Sequence, residues 1–157
     1  MEADALINEP IRITAASELE KLTAHIHDEY FELDGMSFSA EEDILEIPYR
    51  RIFHGGPRTV LKKSWVSTTY EVDVVRSVLI IHNVKRYEFE DRAGIGTYSF
   101  NKISYGGNTL RIVTCEGPKL EAIVEGLYIE SRDIEVRGKA RVTCGLWGES
   151  YSSKVYE

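Results

Sequence analysis

The chain reads as mainly β: an antiparallel β-sandwich or barrel of about seven to ten short strands with one short N-terminal helix. Three observations carry that reading. Val78, Leu79, Ile80 and Ile81 form the densest apolar run, at the centre of Val74 to Val84, as expected of a strand covered on both faces. From Ile134 to Leu146 every even position is apolar or small, and Asp133 to Thr143 supply polar odd positions, the period of a sheet with one dry and one wet face. Between such runs stand turn signals: Asp34-Gly35, Gly106-Gly107-Asn108 and Glu116-Gly117-Pro118.

Taken in order, residues 1–13 hold Leu6, Ile7, Ile11 and Ile13 around Pro10, which blocks a continuous helix and leaves an arm or short edge strand. Ser17 and Glu20 make a capping-box pattern, and Leu19, Leu22 and Ile26 follow at helical spacing, so a helix is expected from about Ser17 to about His25. Asp34-Gly35 predicts a two-residue hairpin with Leu33 opposite Met36 and Phe31 opposite Phe38. The alternative is one longer strand with a glycine bulge, a turn at Ala40 to Asp43 and a strand from Ile44 to Phe53, in which Pro48 demands an edge or bulge. His54 to Pro57 reads as loop.

Val66 to Val74 has strand parity, and a turn or bend is expected near Asp73 to Ser77 before the central run. Lys85 to Arg92 continues with Tyr87 and Phe89 in phase. Tyr98 and Phe100 have one parity and Ile103 and Tyr105 the other, which requires a bulge near Asn101-Lys102 or burial on both sides. Gly106 to Asn108 turns into Leu110 to Cys115, and Leu120 to Ile129 is a further strand. The alternating stretch is either one strand bent at Gly138 or a hairpin with a loop at Gly138 to Ala140. With no linker-like break, 1–157 is expected to be a single β-rich domain, with the 1–13 arm and 148–157 tail loose.

The 43% hydrophobic, 29% charged composition is that of an ordinary globular protein. A net charge of −7 repels phosphate backbones and anionic membranes, so neither nucleic acid nor membrane is expected as a partner. The acidic start, without a basic and apolar leader, points to the cytoplasm. Cys115 and Cys144 lack Cys-x-x-Cys spacing and are expected as small buried hydrophobes.

No Gly-x-Ser-x-Gly elbow or Walker loop is present, and Gly94-Ile95-Gly96 lacks the third glycine of a dinucleotide site. His82 beside Asn83 reads as a hydrogen-bonded histidine at a strand end. The sharpest chemical constellation is His25-x-His27 with Glu32: on a strand, residues two apart share a face and could hold one metal ion. Those three residues resemble the first cupin motif. The likeness stops there, because Leu19 and Ser39 stand where that motif has glycines and no second motif follows. The preceding helical pattern sets the two imidazoles roughly 200° apart, so no metal and no cofactor are expected.

These observations lead to a non-catalytic acidic binding domain that works through a protein partner or self-association. Arg137, Lys139 and Arg141, on the wet face of the last long strand, are the candidate binding residues. In length and charge the chain is similar to small acidic proteins that neutralise basic bacterial toxins. The rivals are a cupin-like metal-dependent enzyme using His25, His27 and Glu32, and a small-molecule carrier with a cavity near Val78 to His82.

Overall fold

A computed structural model describes residues 9–53, 58–91, 94–145 and 154–156. Within them the chain is mainly β, with one short α-helix and twelve strands. β1 (Ile11–Ile13) leads into a 3₁₀ turn at Ala16–Glu18 and helix α1 (Leu19–Ile26). Then come β2 (Tyr30–Glu32), a 3₁₀ turn at Leu33–Gly35, β3 (Ser37–Ser39), β4 (Ile44–Ile52), β5 (Arg58–Lys63) and β6 (Ser67–Ile81). The rest are β7 (Val84–Phe89), β8 (Thr97–Gly106), β9 (Thr109–Thr114), β10 (Lys119–Val124), β11 (Ile129–Gly145) and β12 (Lys154–Tyr156). The hydrogen-bonded path runs β1-β11-β6-β4-β2-β8-β9-β10-β7 without closing into a barrel. The 15 residues of β6 and 17 of β11 exceed the short strands that the turn signals suggest.

Two compact units divide the chain, a smaller one from the stretches 51–76 and 134–157 and a larger one from Asn8–Arg50 and Ser77–Asp133. In the larger unit, Leu19, Leu22 and Ile26 bury one face of α1, as their spacing requires. The helix start is held by Glu18 rather than by a Ser17 cap: its carboxylate accepts the backbone N–H groups of Thr14 and Ala15 at 3.1 and 3.0 Å. Phe31 stacks on Phe100 at 4.6 Å and Phe100 meets the edge of Tyr49 at 5.6 Å, an aromatic centre enclosed by Leu45, Ile47, Leu79, Ile81, Ile112 and Leu120.

The bulge expected near Asn101 is present: Phe100 pairs with Thr114 but Lys102 with Val113, so Asn101 is the extra residue and Phe100 and Ile103 both reach the core. Gly106 pairs with Thr109 across Gly107 and Asn108, whose φ angles of 58° and 65° are those of a type I′ turn. The Asp34-Gly35 hairpin does not form. β2 and β3 pair in turn with the same edge of β4, and the 3₁₀ turn inserts extra residues between them. Pro48, which has no N–H to donate, stands at that interruption, with its Cγ 3.9 Å from where a Cβ on Gly35 would lie.

The smaller unit has its own, slighter core: Val72, Val74, Ala140 and Val142, with Ile52, Tyr70 and Cys144 partly covered. β6 runs straight through Asp73 to Ser77, where a bend was expected. The segment buried on both faces is Val72 to Val75; in the apolar run Leu79 and Ile81 are buried but Val78 and Ile80 only half so, because one side of the sheet is thinly covered there. β11 is one strand with Gly138 at φ 95°, not a hairpin. Its parity holds for Ala140 and Val142, yet Ile134 lies outside despite sharing it. Cys115 is exposed and Cys144 half-buried, so neither is the buried hydrophobe expected.

Candidate functional site

The three residues of the rival metal reading lie on different elements. His25 lies in the last turn of α1, His27 is its C-cap with φ −55° and ψ 132°, and Glu32 ends β2 opposite Thr97. His27 Nδ1 instead lies 3.1 Å from Asp28 and Nε2 3.3 Å from the Asn101 side-chain oxygen. Among the described residues no three His, Cys, Asp or Glu side chains are grouped to hold a metal ion. Cys115 donates weakly to the Phe100 carbonyl at 3.5 Å and to Asp28 at 3.6 Å. Burial pushes its thiol pKa up, with the Asp28 carboxylate adding to the shift, opposite to what activates a nucleophile.

A cluster that the sequence reading overlooked sits in the larger unit at the start of β11. Glu130, 5% exposed, accepts the Tyr128 hydroxyl at 2.5 Å and pairs with Arg132 at 2.5 Å, and Arg12 of β1 is its cross-strand partner. The Tyr128 bond, then the Arg132 hydrogen bond and charge, hold its carboxyl below the usual range. His82 stands edge-on to the Tyr128 ring at 4.5 Å. Its Nε2 is buried without a hydrogen-bond partner, 3.8 Å from Glu130, so the expected satisfied histidine is not what the strand end holds. An ionised carboxylate saturated by its own neighbours is a structural ion pair, unsuited to general acid work.

The site with most unsatisfied surface is in the smaller unit, on the β5–β6 hairpin. Arg58 to Lys63 are exposed throughout and pair with Val72 to Thr68 of β6, with Leu61 the extra residue of a bulge. Ser64 closes the turn. Its backbone N–H donates to the Ser67 carbonyl at 2.8 Å, while its hydroxyl accepts from the N–H groups of Val66 and Ser67 at 3.3 and 3.1 Å. This turn presents Trp65 with 87% of its surface exposed, and Val60, Leu61 and Val66 are exposed beside it. An indole in water, together with three aliphatic side chains, is the kind of apolar surface that marks an interaction site.

Charge accompanies it. From 58 to 66 the hairpin carries Arg58, Lys62 and Lys63 and no acidic residue. The smaller unit as a whole has nine Lys and Arg against seven Asp and Glu, eight of them against three within 51–76 and 134–145, whereas the larger unit has ten against nineteen. The candidate residues Arg137, Lys139 and Arg141 are exposed on β11 in this basic unit. Lys139 is bonded to Asp73, and Arg137 lies 3.8 Å from Glu135, which also pairs with Arg76 at 2.9 Å. These ion pairs blunt the β11 cluster; on the hairpin, residues 58 to 66 hold no acid, and Glu71 of β6 stands opposite Thr59.

Trp65 could have been found from the sequence by one signal: an indole two residues after a Lys-Lys pair, in a nine-residue stretch free of acids. No family model matches the chain, and no curated protein or solved structure matches it.

Proposed function

We propose that this chain is a non-catalytic recognition protein whose smaller unit binds an acidic protein surface through the β5–β6 hairpin, with Arg137, Lys139 and Arg141 adding to the attraction. The observation that carries the reading is Trp65: a turn stabilised by Ser64 holds the largest apolar side chain in water, between lysines and aliphatic residues. Tryptophan and arginine dominate binding energy at protein interfaces, and basic residues around them select acidic partners and speed encounter. The raised thiol pKa of Cys115 and the saturated carboxylate of Glu130 favour binding over catalysis. Two free cysteines suit a reducing compartment, so we place the protein in the cytoplasm. No helix among the described residues is long and apolar enough to cross a membrane.

Fluorescence anisotropy of a labelled glutamate–tyrosine copolymer, titrated with the protein, tests this reading. Binding should weaken about tenfold in Trp65→Ser and again when Lys62 and Lys63 become glutamine, and should fade with added salt. Equal binding by these variants sinks it, as does stronger binding to single-stranded RNA or to phosphatidylserine vesicles in the same assay.

A further inference from the structure

We infer that the partner of the hairpin is a second copy of this chain, which rests on the reading just given and adds the acceptor surface. The two units have opposite charge: over 1–7, 51–76 and 134–157 the smaller has nine Lys and Arg against seven Asp and Glu, an excess of two positive charges concentrated in 51–76 and 134–145, and the larger unit has an excess of nine negative ones. Each copy therefore bears both a basic apolar projection and an acidic surface. Charge alone does not choose where the projection lands, but exposed apolar side chains do, since Trp65 gains most where it also removes apolar surface from water.

In the larger unit the aliphatic side chain most exposed within an acidic setting is Ile95, at 51%. It lies on a built loop. Asp91 accepts the backbone N–H groups of Ile95 and Gly96, both at 3.1 Å, and the Gly96 carbonyl accepts from Leu33 at 2.8 Å. That last bond ties Ile95 to the 3₁₀ turn carrying Asp34, and Glu32 pairs with Thr97 one step along β8. Glu32, Asp34, Glu90 and Asp91 thus belong to the segments around one exposed isoleucine, the inverse of Arg58, Lys62 and Lys63 around Trp65. Arg92, the base of this stretch, is outside the described residues.

A contact between two different patches is heterologous: one copy gives its hairpin and the next its Ile95 loop, so association propagates head to tail. It is small, and therefore weak and salt-dependent. Sedimentation velocity of the full chain in 20 mM and 500 mM NaCl reads it. At low salt the average mass should rise with concentration, and the association constant should fall about tenfold or more at high salt.

Complementation separates this from any symmetric dimer. A hairpin variant (Trp65→Ser with Lys62→Gln and Lys63→Gln) and a loop variant (Ile95→Ser with Asp34→Asn) should each be monomeric, and their equimolar mixture should form a dimer and nothing larger. A wild-type chain that stays monomeric at every concentration overturns the inference, and so does association that either variant leaves intact. If the chain is monomeric while the acidic copolymer still binds in a Trp65-dependent manner, this inference fails and the proposed function stands. If neither occurs, both fall.

Discussion

Val74 and Leu79 lie five residues apart on β6, and both are fully buried, but they belong to different cores. Around Leu79, twenty buried residues cluster in the larger unit, with phenylalanines and tyrosines in ring contact. Around Val74, four do, and none is aromatic. Among its described residues the smaller unit leaves Trp65 and several aliphatic side chains exposed and links its strands with polar contacts: Arg76 to Glu135, Lys139 to Asp73, and the Thr69 hydroxyl to that of Thr143 at 3.1 Å. Exposed ion pairs contribute roughly 0–1 kcal/mol each, whereas a buried aliphatic side chain contributes about 1.5–3 kcal/mol. One pair of long strands, β6 and β11, thus contributes both to a large aromatic core and to a small aliphatic one.

The sharpest way to break this comparison is to remove one large side chain from each core. Phe100→Ala should cost about 3–5 kcal/mol in urea unfolding, because it empties the centre of a ring stack. Val142→Ala should cost about 1–2 kcal/mol and speed hydrogen exchange in 134–145 with little effect on 98–114. Equal costs would show that the division into two cores is energetically empty.

A finer test uses pH. The carboxyl of Glu130 lies below its ordinary 4.5 when folded, so the stabilisation it confers is present above about pH 4.5 and is lost as pH falls through the folded value. Thermal melts from pH 7 to pH 3 should lose stability less steeply in Glu130→Gln, from a lower starting point. An unchanged slope would mean that Tyr128 and Arg132 do not hold the ionised form. The smallest effect is expected at the hairpin. Trp65→Ser should shift stability by less than about 0.5 kcal/mol, since the indole has little surface to lose on unfolding; a melting temperature lowered by several degrees would mean that Trp65 packs against its own chain.

Local rules made much of the fold legible. The parity change between Phe100 and Ile103 located the bulge, the Gly-Gly-Asn run located the turn, and Leu19, Leu22 and Ile26 located the buried face of α1, because each depends on residues within one element. What failed depended on coverage. Parity says that Ile134 shares a face with Ala140, but whether anything lies over that face is decided by distant chain, and Ile134 is exposed. The same limit misplaced the doubly covered segment, which is Val72 to Val75 and even includes Asp73. Asp34-Gly35 has the composition of a hairpin turn, yet β4 takes both flanking strands along one edge.

Of the site, Arg137, Lys139 and Arg141 could be read as one exposed row, but not their pairing with Asp73 and Glu135. Tyr128, Glu130 and Arg132 alternate, which puts them on one face of a strand; attention to that period in a carboxylate-centred triplet would have picked out the buried ion pair. His25 and His27 drew notice through a spacing that shares a face only on a strand, whereas the structure puts them in the last turn of α1 and at its C-cap.

The placement of the strands in the chain has a consequence for the order of folding. β8 to β10 form an uninterrupted meander, with β7 added beside β10: β8 and β9 are joined across two residues, and β9 and β10 across a short turn in which Thr114 accepts Gly117 and donates to Pro118. The smaller unit instead needs 51–76 to find 134–145, far along the chain, before Thr69 meets Thr143. Closing so long a loop is entropically slow, and only contacts made late repay it. The meander is therefore expected to form first and the core of the smaller unit last. Pulse-labelled exchange during refolding should protect 98–124 before 136–143; simultaneous protection would mean that the chain closes in one step.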